Sequence, residues 1–149
     1  MGKKIISAIL IITIILAGTI LLLKSGMLFR LTYPRTPESL VSKILHLSVN
    51  SLDDPDKCLE IKNYLDTQTK MLTTNPLFLP ELCKSIALYE NKALSRYKIA
   101  GIKNSSLNDE VKVVQVYLDY SGDVKKKVFL VRKENGKWKL TSQRILIKH

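Results

Sequence analysis

The sequence predicts an α+β protein: one N-terminal transmembrane helix followed by three helices packed on a curved four-stranded antiparallel sheet. Three observations predict it. Ile5 to Leu23 carry no charge. From Pro37 to Lys92 apolar residues recur at helical spacing, whereas after Leu94 they alternate. Two turn sequences, "SGDV" and "ENGK", cut the alternating part into strands.

The apolar run comes first. As a helix its nineteen residues would span about 28 Å, close to the roughly 30 Å hydrocarbon core of a bilayer. A removable signal has a shorter apolar core, about 7 to 15 residues, closed by small residues before the cut. The small pair at that spacing, Ala17 and Thr19, lies inside the run, and "LAG" precedes Thr19 rather than a cysteine. Residues 1–24 therefore read as a retained anchor, 25–36 as a juxtamembrane linker and 37–149 as the folded domain. Lys3 and Lys4 precede the span, while Lys24, Arg30 and Arg35 follow it, so the lysine and arginine count does not decide the orientation. A short basic N-terminus usually stays in the cytoplasm, which makes the expected protein single-pass with its C-terminal domain extracytoplasmic.

Beyond the run, 22 cations (24 less Lys3 and Lys4) face 13 acids, a charge of +9. Such a charge suits an anionic partner such as lipid headgroups, a cell-wall polymer or an acidic protein. The lysines are scattered rather than clustered, which disfavours a dedicated nucleic-acid site. Cys58 and Cys83 form an even pair; a disulfide in an oxidising compartment and two buried thiols both fit. No CxxC or Cys/His cluster points to a metal, and no glycine-rich loop points to a phosphate cofactor. No cofactor is expected.

The first helix starts at "TPES", with Thr36 as N-cap and Pro37 at the first helical position, where its missing N–H costs nothing. Leu40, Val41, Ile44, Leu45 and Leu47 form its inner face. "DDPD" repeats the signal: Asp54 caps, Pro55 opens, and Asp56 meets the helix dipole. Cys58, Ile61, Leu65 and Leu72 would line this second helix. A third is expected over 80–92, with Leu79, Leu82, Cys83, Ile86 and Ala87 inward and a turn or kink at 76–79.

"LSRYKIAGIK" reads as the first strand, with a bulge at Gly101. A hairpin centred on Asn135-Gly136 pairs Val131 with Leu140, Lys133 with Trp138 and Phe129 with Ser142. One centred on Gly122-Asp123 pairs Val131 with Val114, Phe129 with Val116 and Lys127 with Leu118. Both put Phe129, Val131, Val114, Val116, Leu118, Trp138 and Leu140 on one face. A one-residue slip in either turn would scatter that set across two faces.

Helices followed by four antiparallel strands, with the closing "ENGKWKLTSQ", resemble the nuclear-transport-factor-2-like superfamily over about Pro37 to Ile147. The resemblance implies a cone-shaped α+β domain. A single N-terminal anchor before such a domain is similar to small bacterial envelope proteins and to anchored subunits of secretion and conjugation machines. Enzymes of the superfamily place acid–base residues, often an Asp/His pair, inside the cone. Here the histidines are His46, on a helix flank, and the terminal His149; Asp119 has the wrong parity for the inner face. The chain is therefore expected to be non-catalytic.

On the inner face the register gathers Lys127, Ser142, Arg144 and Tyr120, with Lys125 beside them, at the mouth of the cone. These groups could hold an anion by charge-assisted hydrogen bonds. The expected function is a membrane-anchored envelope module whose cone makes a protein contact or self-associates. The alternative is a binding domain for a small anionic ligand or wall polymer at the cone mouth.

Overall fold

The computed structural model describes residues 33–106 and 110–142. The chain divides into two compact units, 1–33 and 34–149, and the described helices and strands all belong to the second. The expected span 5–23 and linker up to residue 32 lie outside the described residues. Among the described residues no helix is long and apolar enough to cross a membrane.

The expected three helices and single sheet are corrected. Among the described residues there are four α-helices, two 3-10 turns, a two-stranded hairpin and a four-stranded sheet. Helix α1 (Pro37–Asn50) begins with a capping box in which Ser39 N–H donates to Thr36 Oγ1 (3.2 Å) and Thr36 N–H to Ser39 Oγ (3.0 Å). Its inner residues Leu40, Val41, Ile44, Leu45 and Leu47 are buried, as their spacing predicts.

The second expected helix is broken into pieces. α2 (Asp56–Glu60) runs into a 3-10 turn, Ile61–Tyr64. Leu65 is then extended and forms a parallel bridge to Leu140. Asp66 restarts the chain as the N-cap of α3 (Thr67–Met71), accepting Thr69 N–H at 2.6 Å. A polar residue that reads as one position of a long helix is instead the stop and start between two short ones. A second 3-10 turn, Leu72–Thr74, follows.

Helix α4 (Phe78–Ala87) starts two residues earlier than expected and ends five earlier. Pro80 sits in its first turn, where N–H groups have no intrahelical acceptor, so no kink is needed. The helix stops because Glu90 and Asn91 both adopt positive φ, 47° and 65°, and fold a hairpin of β1 (Leu88–Tyr89) and β2 (Lys92–Ala93).

The main sheet is a meander of β3 (Arg96–Asn104), β4 (Val111–Tyr120), β5 (Asp123–Glu134) and β6 (Lys137–Thr141), in that spatial order. A bulge between Ile99 and Gly101 inserts Ala100 into β3, next to the glycine expected to mark it. The β5–β6 ladder pairs Val131 with Leu140 and Lys133 with Trp138, the predicted register. It stops at Leu130–Thr141, short of the expected Phe129–Ser142 pair.

The β4–β5 turn is shifted. Val114 pairs with Phe129, Val116 with Lys127 and Leu118 with Lys125, two residues from the expected register. The turn residues are Ser121 (φ 55°) and Gly122 (φ 102°), both left-handed as a type I′ turn requires. Asp119 Oδ1 accepts Gly122 N–H at 2.7 Å and fixes that choice. A slip of two keeps every side chain on its face. Val114, Val116, Leu118, Phe129, Val131 and Leu140 are accordingly all buried against the helices, with Trp138 half-buried at the end.

Cys58 of α2 and Cys83 of α4 are joined as a disulfide, their Cα atoms 6.1 Å apart. The bond ties the short α2 to the longer α4.

Candidate functional site

β5 is twelve residues long and β6 only five. Residues 123–132 of β5 all pair with β4, but only 130–134 pair with β6. Beside residues 123–129, on the β6 side, no strand lies among the described residues. At the end of the described ladder Ser142 N–H donates to Thr69 Oγ1 of α3 (2.8 Å).

Alongside residues 127–130 of β5 lies a groove of about 420 Å³. Phe78 and Leu82 of α4 form one wall, and Phe129, Leu130 and Leu140 of the sheet form another. Lys127, Thr69, Thr141 and Ser142 supply the polar groups. Val128, on the rim, is 47% exposed. Thr141 Oγ1 is buried with no hydrogen-bond partner among the described residues.

Among the described residues, Lys127 is the cation lining the groove. Its Nζ donates to Ser85 O (2.8 Å) and Ser85 Oγ (3.2 Å) of α4, and burial pushes its pKa below the ordinary lysine value. An amine so placed binds a carboxylate more readily than one in free water, since less solvent is displaced at the moment of contact.

Of the four residues expected at the mouth, Lys127 and Ser142 line this groove. Tyr120 does not: its Oη donates to Ile86 O (2.8 Å), its ring packs against Tyr89 at 5.7 Å, and burial raises its pKa. Lys125 lies over the Tyr89 ring, 4.3 Å from the centroid, so it too is engaged elsewhere. Arg144 lies outside the described residues, as does His149. His46 is exposed on α1.

Sequence reasoning missed the helical half of the groove, Thr69, Phe78 and Leu82, and the Ser85 that anchors Lys127. The cap signal at Asp66 was the available clue, since it announces α3 and so places Thr69 in a first turn. Among the described residues no group of three or more His, Cys, Asp or Glu side chains is placed to hold a metal ion.

No protein-family model matches the chain. No curated protein matches it either. Among solved structures the chain is similar to a Campylobacter jejuni protein named, provisionally, an NTF2-like transpeptidase, at 12% identity over 72% of this chain and 100% of that one, with a TM-score of 0.48.

Proposed function

We propose that the chain is a non-catalytic interaction module of nuclear-transport-factor-2-like type, tethered to the cell membrane through residues 5–23. Its groove would take up an extended segment of a partner protein as an added strand beside β5. One observation carries the reading: among the described residues, 123–129 of β5 have no strand partner on the β6 side, and an apolar groove lies beside them. Main-chain hydrogen bonds to that edge would give affinity, and pockets for alternate side chains would give specificity. The partner segment is apolar at alternate positions and bears a carboxylate within reach of Lys127.

The helices-then-meander order and the Asn135-Gly136 hairpin support the family reading. An extracytoplasmic placement is supported by the Cys58–Cys83 bond, which suits an oxidising compartment, and by Lys3 and Lys4 ahead of the apolar run. A second reading, a small anionic ligand held by Lys127 and Ser142, is favoured by the half-buried amine at the groove wall.

The test replaces Val128 in the full-length chain with a photo-crosslinking amino acid, irradiates intact membranes and sequences the joined peptide. The expected adduct is one contiguous extended segment of a second protein, lost in Leu82→Glu. Adducts confined to residues 143–149 of the same chain would show that the groove is filled in cis and would overturn the reading. Absence of any peptide adduct would do the same.

A further inference from the structure

The opposite face of the sheet carries a second concavity, of about 280 Å³, lined by Arg96, Tyr97, Lys98, Tyr117, Asp119 and Val124. Register puts two cross-strand rows there. Lys98, Tyr117 and Lys126 lie side by side on β3, β4 and β5, and the next row is Arg96, Asp119 and Val124. Tyr97 has the parity of the buried face, since it pairs with Leu118, but on the edge strand it is 44% exposed and lines the same cleft. Tyr117 is 42% exposed. Tyrosine, apolar in its ring and polar at its tip, is enriched at binding surfaces, and two of them line this one cleft.

The polar groups of the cleft narrow the ligand. Arg96 donates to Asp119 Oδ2 at 2.9 Å, and Asp119 Oδ1 accepts Gly122 N–H. The backbone donor, followed by the guanidinium, holds the Asp119 carboxyl below its usual pKa. Donor and acceptor thus stand side by side, an arrangement complementary to hydroxyl groups, which need both. A carboxylate in the lining repels any anionic group laid directly over it, phosphate or carboxylate alike, so the acidic groups of a ligand must fall at the rim. Lys98 and Lys126, exposed on either side of Tyr117 in the row next to that carboxylate, supply positive charge.

We propose that this cleft binds an acidic polysaccharide. Sugar rings lie against Tyr97 and Tyr117, their hydroxyls meet the Arg96–Asp119 pair, and acidic groups along the polymer meet Lys98 and Lys126. The charge complementarity is local to this face and agrees with the +11 charge of the whole chain.

The experiment is gel retardation of the full-length chain in neutral detergent micelles. Three probes are used: polygalacturonate as the acidic glycan, dextran as a neutral one, and single-stranded oligothymidine as a phosphate polymer. Retardation by polygalacturonate is expected, weakened by salt. Tyr117→Ala and Tyr97→Ala should each weaken it about tenfold without moving the melting temperature, while Tyr117→Phe retains it. Leu82→Glu, in the groove on the other side, should leave it unchanged. Retardation by dextran equal to that by polygalacturonate would remove the role of the lysines and overturn the proposal. Oligothymidine binding as strong as polygalacturonate binding would overturn it in favour of nucleic acid. Binding indifferent to both tyrosine-to-alanine changes would show adhesion to a basic surface only, and absence of retardation would sink it outright.

Discussion

Asp66 Oδ2 lies 2.6 Å from Arg132 Nε, a carboxylate with no exposed side-chain surface against a guanidinium that is 20% exposed. The same carboxylate caps α3 through Thr69 N–H, and Asp66 N–H donates to Leu140 O at 3.0 Å. One residue therefore pins α3, the β6 edge and β5 together.

Removing that carboxylate should be costly. Asp66→Ala leaves Arg132 without its partner and α3 without its cap, and should lower the unfolding free energy by about 3–5 kcal/mol. Asp66→Asn keeps a cap acceptor and should fall between parent and alanine variant. Urea unfolding followed by circular dichroism measures both. Parent-like stability in Asp66→Ala would show that the pair contributes nothing net.

Reduction of the Cys58–Cys83 bond, which closes a 25-residue separation, should cost about 3.5 kcal/mol by the chain-entropy relation. The expected readout is a lower urea midpoint in the presence of a reductant. The Cys58→Ala/Cys83→Ala double variant should match the reduced parent and should not respond to reductant.

The alkaline side should show a rising limb. Burial lowers the folded pKa of Lys127, and of Lys139 with Lys137 adding to the effect. Between that lowered value and the unfolded value of about 10.4 the unfolded chain binds more protons, so stability rises with pH. Tyr64 and Tyr120 have raised folded pKa values, chiefly through burial, and act oppositely above about pH 10. Urea unfolding between about pH 8 and 9.5 isolates the lysine contribution. Lys127→Met should flatten part of the rise and Lys127→Met/Lys139→Met more of it; an unchanged slope would contradict the assignment.

Ser121 holds φ at 55° without being glycine or asparagine. Ser121→Gly removes the strain of a side chain in the left-handed region and should raise stability by up to about 1 kcal/mol. Its N–H contact to Ser95 Oγ is made by the backbone and survives the change. Thermal unfolding of the two proteins compares them directly.

Much of the sheet was legible because two turns had to agree on one apolar face. Val114, Phe129 and Val131 are buried where that agreement put them. The two-residue shift at Ser121-Gly122 was invisible to the same test, since parity is all that the face pattern records. The helical region was harder. Asp66 looks like one more polar position in a helix until Leu65 is known to bridge Leu140, a contact between residues far apart in sequence. The candidate groove was half legible for the same reason. Lys127 and Ser142 followed from strand parity, whereas Thr69, Phe78 and Leu82 reach it only through tertiary packing of short helices. Tyr120 was placed on the correct face but is occupied by the Ile86 carbonyl.

The order β3-β4-β5-β6 also bears on how the chain reaches its native state. Every ladder joins consecutive strands, so each is closed by a short loop and its entropic barrier is small. The Leu65–Leu140 bridge and the Asp66–Arg132 contact close loops of most of the domain. The meander can therefore zip up as a template, with α3 docking on its β6 edge last, downstream of the rate-limiting step. In kinetic terms, Asp66→Ala should accelerate unfolding far more than it slows refolding, because the contact it removes forms after the transition state.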